Sequence, residues 1–562
     1  MSLRKFFLSV LFSSTFFASL SQSSAITIDG VFDDWTTTLT TFTDPSETIN
    51  GVDLLEVQVT NDANFLFLKI KTNTEFELTD DTLTQNIGLY IDTDNNSSTG
   101  YNIQTGYGSE IGVIFNQYLA HYNVTPYSQI SFSDFSLRVA PTVSSNEFEI
   151  AIKRDAIPDG SNPLFSSNTI KIVLKNLENS DNLPNNGTVF SYTFDNTPVA
   201  PLVPIEINKD NANLIRIVSY NTLFDGLIDP NRVARFQNII TVLNPDIISL
   251  LESWNTNPND IKLLFDAWLP LGTQDGWYVV KNSSAIIVSK WAYLDQWDYL
   301  DRQFPVLIDL PNTYSTNLLL TAAHLKCCSN GDALRQSQAD EYANFIVDAK
   351  TPGSQIDLPQ NTPFVYTGDL NLVGSSSPLT TLVTGLDWDN SNLTDENAIQ
   401  TDNRMAYTWR KDNTQYPPGK LDFTIFSDAV MSAQKSFVLQ TEIMPTSRLQ
   451  LYGLDALDTS MASDHFPIVT DFQISQTASL NEASLELSIK LFPNPTSNKT
   501  VLKFNDSNNY KIIILNVYGK IIKQFNASNE VEINLSENTN GLYLISITDK
   551  NGTTFYRKII KY

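Results

Sequence analysis

The period of the apolar residues changes once near residue 213 and changes back near 475, and this switch restricts the fold more than any other feature of the chain. From 214 onward LIRIVSYNT reads as a buried strand, PNRVARFQNIITVLN carries the 3.6-residue apolar repeat of a helix, and PDIISLLES is a strand again. The runs SSAIIVSKW, NLLLTAAHL, TPFVYTGDLN, LDFTIFSD and FPIVTDF continue the strands, and a helix is predicted over Asp332 to Ala349. Strands alternating with helices imply an α/β core, here over 214–474. On either side only strand patterns occur. Residues 26–195 hold short alternations such as FLFLKIKT and FEIAIKR between Asn, Asp, Ser and Gly, which predict an antiparallel β-sandwich. Residues 488–562 are again all strand-like. Residues 196–213, with Pro198, Pro201 and Pro204, and residues 475–487 read as polar linkers.

The 562 residues are enough for three or four units at about 150 residues each. Residues 1–25 read as a secretory leader: Arg4 and Lys5, an apolar run from Phe6 to Leu20, then the small residues Ser23, Ser24 and Ala25. That run is short of the roughly 20 apolar residues of a membrane anchor, and no later stretch has the length to span a bilayer. Lys and Arg number 36 against 62 Asp and Glu, a formal charge of −26, which excludes broad binding of polyanions. Cys327 and Cys328 are adjacent, so export has not led to a disulfide framework, and whether they pair with each other is open.

Asp92, Asp94 and Asn96 alternate as oxygen donors, a spacing that could hold Ca²⁺ or could form a plain hairpin tip. His121 and Trp35 read as packing residues. ITIDGVFDDW and LYIDTDNNSSTGY resemble the opening strand and a later motif of family-9-like carbohydrate-binding modules, which implies a polysaccharide ligand. The tail holds Pro493-Asn494-Pro495-Thr496, a hairpin over Asn516 to Lys520, Gly541-Leu542-Tyr543 and a Lys-rich last strand through Lys558. In that order these features resemble the type A C-terminal sorting domain of the type IX secretion system. The resemblance implies an Ig-like β-sandwich, the secretion machinery as a partner, and a secreted or cell-surface location.

Only three histidines occur, and two of them, His324 and His465, adjoin strand-like runs in the α/β region. Phosphoester hydrolysis needs a cation to neutralise the phosphate, a base for water and donors for the developing charge. Strand-end segments there offer Asn221 in SYNT, Glu252 in SLLES, Asp369 and Asn371 in TGDLN, and Asp464 beside His465. A spacing of two predicts that Asp369 and Asn371 share a side of their strand. Taken singly, each fragment reads equally well as a turn, a helix cap or a surface pair.

Together, in order, they resemble the endonuclease/exonuclease/phosphatase superfamily, over about 213–474. The resemblance implies a four-layer α/β sandwich, two packed sheets flanked by helices, with a Mg²⁺ (or Mn²⁺) site at one edge. It implies Glu252 as the chief metal ligand, with Asn221 and Asp464 near metal and phosphate, and Asp369 and Asn371 positioning nucleophile and phosphate. His465 would be the base, oriented by Asp422, and His324 the donor on the other side of the phosphate. Arg410 and Lys411 could meet phosphate. Trp409 reads equally as a stacking or a scaffold residue, and Arg335 as structural.

Within 213–474 there are 16 basic and 30 acidic residues, a net of −14, which disfavours tight nonspecific duplex binding. An extracellular nuclease fits the export signals. A sphingomyelinase-like or other phosphodiesterase activity is the alternative, kept open by the aromatic WAYLDQWDYL, and a catalytically idle carbohydrate-binding surface protein is the contrasting class.

Overall fold

The structure, a computed structural model, describes residues 25–475 except 48, 80–85 and 125–126, and residues 490–562 except 505–506, 549 and 551–553. The leader expected over 1–25 lies outside the described residues but for Ala25, and so do residues 476–487 of the second linker. The chain is multidomain and mostly β, with few helices. It divides into two compact units, one ending at Ser475 and one beginning at Gln476. No helix among the described residues is long and apolar enough to cross a membrane.

The first unit begins with two antiparallel sheets of five and seven strands. Period-two alternation explains their pairing. The strand Phe65–Phe76 turns Leu66, Leu68 and Ile70 toward Leu89, Ile91, Ile111, Val113, Ile170, Ile172 and Leu174 of the other sheet, forming one buried core.

The opening peptide joins a different cluster. Ile26, Ile28 and Trp35 pack with Phe67 and Ala151 of the sandwich and with Met405, Tyr407, Val438, Phe466 and Ile468 of the α/β region. Asp29 and Gly30 donate their backbone N–H groups to Glu149 Oε1 at 2.5 and 2.6 Å, and the Trp35 indole donates to Glu149 Oε2 at 3.0 Å. Residues 196–213 also lie against the α/β region, with Ile207 fully buried in its core and the Ile205 carbonyl accepting from Arg448.

The α/β region holds two six-stranded sheets. Each contains one parallel pair, Ile215–Asn221 with Ile247–Leu251 and Leu318–His324 with Phe364–Asp369. A parallel pair needs a crossover, and here each crossover carries a helix, Val233–Leu243 and Asp332–Lys350. The first helix buries Phe236, Ile239, Ile240 and Leu243, one stripe at 3.6-residue spacing. Along Ile215–Asn221, Ile215 and Ile217 face the core shared by the two sheets, while Val218 and Tyr220 face the helices. Burial on both faces is why these strands read as continuous apolar runs.

The second unit has a three-stranded and a four-stranded sheet around Leu502, Ile512, Ile514, Ile533, Tyr543, Ile545, Ile547 and Ile559. Asn494 of the PNPT motif brackets the last strand, donating to Lys558 O at 2.6 Å and accepting from Ile560 N at 2.8 Å. Asn516 and Lys520 close the expected hairpin, the Asn516 N–H donating to Lys520 O at 3.0 Å.

Candidate active site

Strand ends bring the candidate residues together. His324, Asp369 and Asp422 are register partners on three neighbouring strands, so they form a row along one sheet edge. Gly368 permits the close pairing that sets this row, because a Cβ there would stand 1.8 Å from the Ala323 carbonyl oxygen. Asn221 ends the facing sheet's strand and Glu252 follows that strand's parallel neighbour. Glu252 is left-handed, with φ of 57°, and so is Asn371, with φ of 51°. Such a conformation costs a non-glycine residue about 1–2 kcal/mol, and strain of this kind collects at functional sites.

Asn221 is the hub. Its side-chain N–H₂ donates to Glu252 Oε1 at 3.1 Å and Asp369 Oδ2 at 3.0 Å, and lies 3.4 Å from His465 Nε2. His465 Nδ1 is 2.8 Å from Asp422 Oδ2, and its Nε2 is 3.6 Å from Asp369 Oδ2. His324 Nε2 stands 3.9 Å from Glu252 Oε1 and 3.8 Å from Asp369 Oδ2. The second carboxylate oxygen of Glu252 accepts from the Phe224 N–H at 3.0 Å.

Three expected residues sit differently. The strand ends at Asp369, so the spacing-of-two argument does not reach Asn371; its N–H donates to Asp369 Oδ1 at 3.0 Å and its side chain holds the Leu325 carbonyl at 3.2 Å. Arg410 is engaged by Glu442 and Asp412, each at 2.9 Å. Asp464 faces Lys411 at 3.6 Å, with Oδ1 buried and free of hydrogen-bond partners. With Arg232, Arg410 and Lys411, Asp464 lines a cleft of about 370 Å³. Trp409 is half-buried, its backbone bridging Gly419 and His465. Arg335 is fully buried and holds the Lys326 and Cys328 carbonyls at 2.9 and 2.8 Å, a structural task. Cys327 and Cys328 are free thiols.

Two neighbours of His324 carry no pattern in the sequence. Arg302 Nε donates to the His324 carbonyl at 2.7 Å, and its Nη2 lies 3.4 Å from both imidazole nitrogens. Trp254, 42% exposed, has its ring centre 6.2 Å from that of His324. SLLESW could have flagged Trp254 through its neighbour Glu252; nothing marks Arg302.

A hard divalent cation fits this donor set. Ligand atoms of Glu252, His324 and Asp369 lie within 4.8 Å of one another, and among the described ion pairs no Lys or Arg neutralises either carboxylate. Carboxylate oxygens suit Mg²⁺ or Mn²⁺.

The two histidines are pushed in opposite directions. Burial, the Arg302 guanidinium and His465 lower His324 to about 3. Burial also opposes charge on His465, but Asp422 and then Asp369 outweigh it and raise the imidazole to about 10. Burial in turn raises Asp369, with Asp422 adding and His465 opposing. Below pH 6.5 the unfolded chain protonates His324 and the folded protein does not, so acid costs stability there. The His465 contribution is present below 6.5 and is lost as pH rises through about 10. In metal-free protein, imidazole NMR from pH 5 to 8 therefore finds His324 neutral and His465 protonated throughout; a mid-range titration of either overturns this electrostatic account.

Two family models match stretches of the chain. Residues 218–465 match the endonuclease/exonuclease/phosphatase family, and residues 490–562 match the secretion system C-terminal sorting domain. No curated protein matches the chain by sequence. Similar solved structures include TDP2 from D. rerio complexed with a single-strand DNA product, at 15% identity over 46% of this chain and 99% of that one, TM-score 0.32. The human Nocturnin catalytic domain with bound sulfate is 15% identical over 49% of this chain and 97% of that one, TM-score 0.31. Beta toxin from Staphylococcus aureus is 16% identical over 46% of this chain and 99% of that one, TM-score 0.30. The chain thus carries an endonuclease/exonuclease/phosphatase family domain, a hydrolase of phosphoester bonds, followed by a secretion system C-terminal sorting domain.

Proposed function

We propose that the chain is a secreted, Mg²⁺-dependent phosphodiesterase acting on nucleic acid outside the cell. The observation that carries this reading is the convergence of Asn221, Glu252, His324, Asp369, Asp422 and His465 from separate strand ends onto one point. A divalent cation held by Glu252, with Asp369, His324, Asn221 and Asp464 nearby, would neutralise the phosphate and offset the carboxylates that keep His465 charged. His465 then takes the proton of the attacking water at Nε2 while Asp422 fixes the ring through Nδ1. His324 faces the phosphoryl oxygens and leaving group, and Asp369, braced by the Asn371 N–H, positions the nucleophile.

Nucleic acid is favoured over a lipid surface by how the aromatics lie. In WAYLDQWDYL, Trp297 packs on Phe345 and Trp291 on Tyr314, leaving Leu294 and Tyr299 outward. Exposed Trp254 beside His324 is placed to stack on a base. The same reading takes 26–195 as a carbohydrate-binding-type sandwich that docks polysaccharide, 214–474 as a four-layer catalytic domain and 488–562 as an Ig-like export address after a cleaved leader.

The test is hydrolysis of plasmid DNA, RNA, bis-p-nitrophenyl phosphate and sphingomyelin with Mg²⁺, against chelator controls. DNA or RNA cleavage abolished by chelator is expected; sphingomyelin as the one substrate cleaved moves the protein to the lipid branch. Run beside it, a chain ending at residue 487 keeps full activity but stays in the periplasm of a host with type IX secretion. Equal extracellular activity from both forms refutes the export role of the tail.

A further inference from the structure

A second group of carboxylates lies in the N-terminal sandwich, outside the catalytic domain. Asp92 ends the strand Ile87–Asp92, Asp94 stands in the turn that follows, and Glu110 precedes the strand Ile111–Ile114. Each offers an oxygen within 4.8 Å of the others. Asp92 is fully buried and Glu110 is 4% exposed.

Their hydrogen bonds account for most of these oxygens, but not all. Asp92 accepts from Lys171 Nζ at 2.7 Å and from the Asn96 N–H at 3.0 Å. Asp94 accepts from the Asn96 N–H at 2.8 Å and the Thr99 hydroxyl at 2.7 Å. Glu110 Oε2 accepts from the Thr93 N–H at 2.8 Å, while Oε1 is buried without a partner. Among the described ion pairs these three carboxylates therefore share one lysine, and the buried Oε1 of Glu110 is left unmet. Buried charge without a counter-charge is strongly disfavoured, and a cation removes the penalty. Gly100 leaves room beside that oxygen, since a Cβ at this position would sit 2.6 Å from Glu110 Oε1.

We propose that Asp92, Asp94 and Glu110 hold a divalent cation of the calcium class in the sandwich, separate from the catalytic cluster. The ligands are all oxygens in an irregular loop, which suits the flexible coordination of Ca²⁺ better than the strict octahedron of Mg²⁺. The third ligand differs from the alternating Asp92, Asp94, Asn96 set that the sequence suggests. Asn96 contributes its backbone N–H between the two aspartates, and its side chain accepts from the Ser98 N–H at 3.1 Å. Bound there, the ion ties the 93–100 turn to the strand that begins at Ile111.

Calorimetric titration with calcium chloride tests this on the full chain carrying Glu252→Gln, so that the catalytic cluster contributes little. One equivalent is expected to bind with a dissociation constant of about 10⁻⁴–10⁻³ M or tighter, and to raise the melting temperature. Adding Glu110→Gln, or separately the half-exposed Asp94→Asn, should weaken binding by about tenfold or more. In the chain with Glu252 intact, both substitutions should leave Mg²⁺-dependent hydrolysis within about twofold, which shows that they fold. Absence of calcium binding and of a thermal shift in the Glu252→Gln chain overturns the proposal, and so does binding that survives both substitutions.

Discussion

The Glu252→Gln chain hydrolyses its substrate at least about a hundredfold more slowly than the natural chain. Even partners one step removed from a metal cost about 10–100-fold when lost, and Glu252 is placed to touch the ion directly. Glutamine keeps the shape and removes the charge. It also turns an N–H₂ toward either the Phe224 N–H or the Asn221 side chain, both of which donate to Glu252. The loss should ease only partly as Mg²⁺ is raised, because the amide is a weaker ligand at any concentration. Initial rates against Mg²⁺ concentration, with circular dichroism to confirm folding, provide the measurement. Undiminished hydrolysis by this variant, or by the natural chain in excess chelator, removes Glu252 from the metal site.

His465→Ala and Asp422→Ala each lose about 10²–10⁴ in kcat/KM, the range expected for a general base. The double variant should be little worse than His465→Ala alone. The reason is the 2.8 Å contact: Asp422 acts through the imidazole, fixing its tautomer and supporting its charge, so without the ring it has nothing left to orient. An Asp422→Asn chain should retain more activity than Asp422→Ala while its pH profile moves to lower pH, because the raised imidazole pKa depends first on that carboxylate among its charged neighbours. Multiplicative losses in the double variant would separate the two residues into independent roles.

Much of this site was legible because strand ends announce themselves. An apolar run followed by one polar residue, as in SYNT, SLLES, TAAH and TGDL, marks where a buried strand meets solvent, and buried sheets place their chemistry there. What escaped was fixed by partners distant in sequence. Arg302 reaches His324 only through strand pairing, and Glu442, which occupies Arg410, lies far along the chain. The Asn371 argument failed because period two ends with the strand, and the backbone turns left-handed just beyond it. Residues 196–213 read as linker from their prolines and polar residues. Composition does not reveal that a single isoleucine, Ile207, finds a fully enclosed seat. Glu110 escaped for a similar reason, standing a hairpin away from the aspartates it joins.

The seam between sandwich and α/β region would set a demand on the removal of the proposed leader. Ile26 and Ile28 fill that seam, and Asp29 and Gly30 supply two of the three hydrogen bonds to Glu149, a carboxyl that burial pushes up to about 8 despite them. The proposed leader, if removed after Ala25, would leave the new first residue inside the structure it must complete. A peptidase cutting after Gly30 instead would empty an apolar seat and strip Glu149 of two donors, each missing bond to a buried group costing about 1–3 kcal/mol. Folding would thus act as a check on such trimming, and a mis-cut chain would declare itself by a loosened junction before it met any substrate.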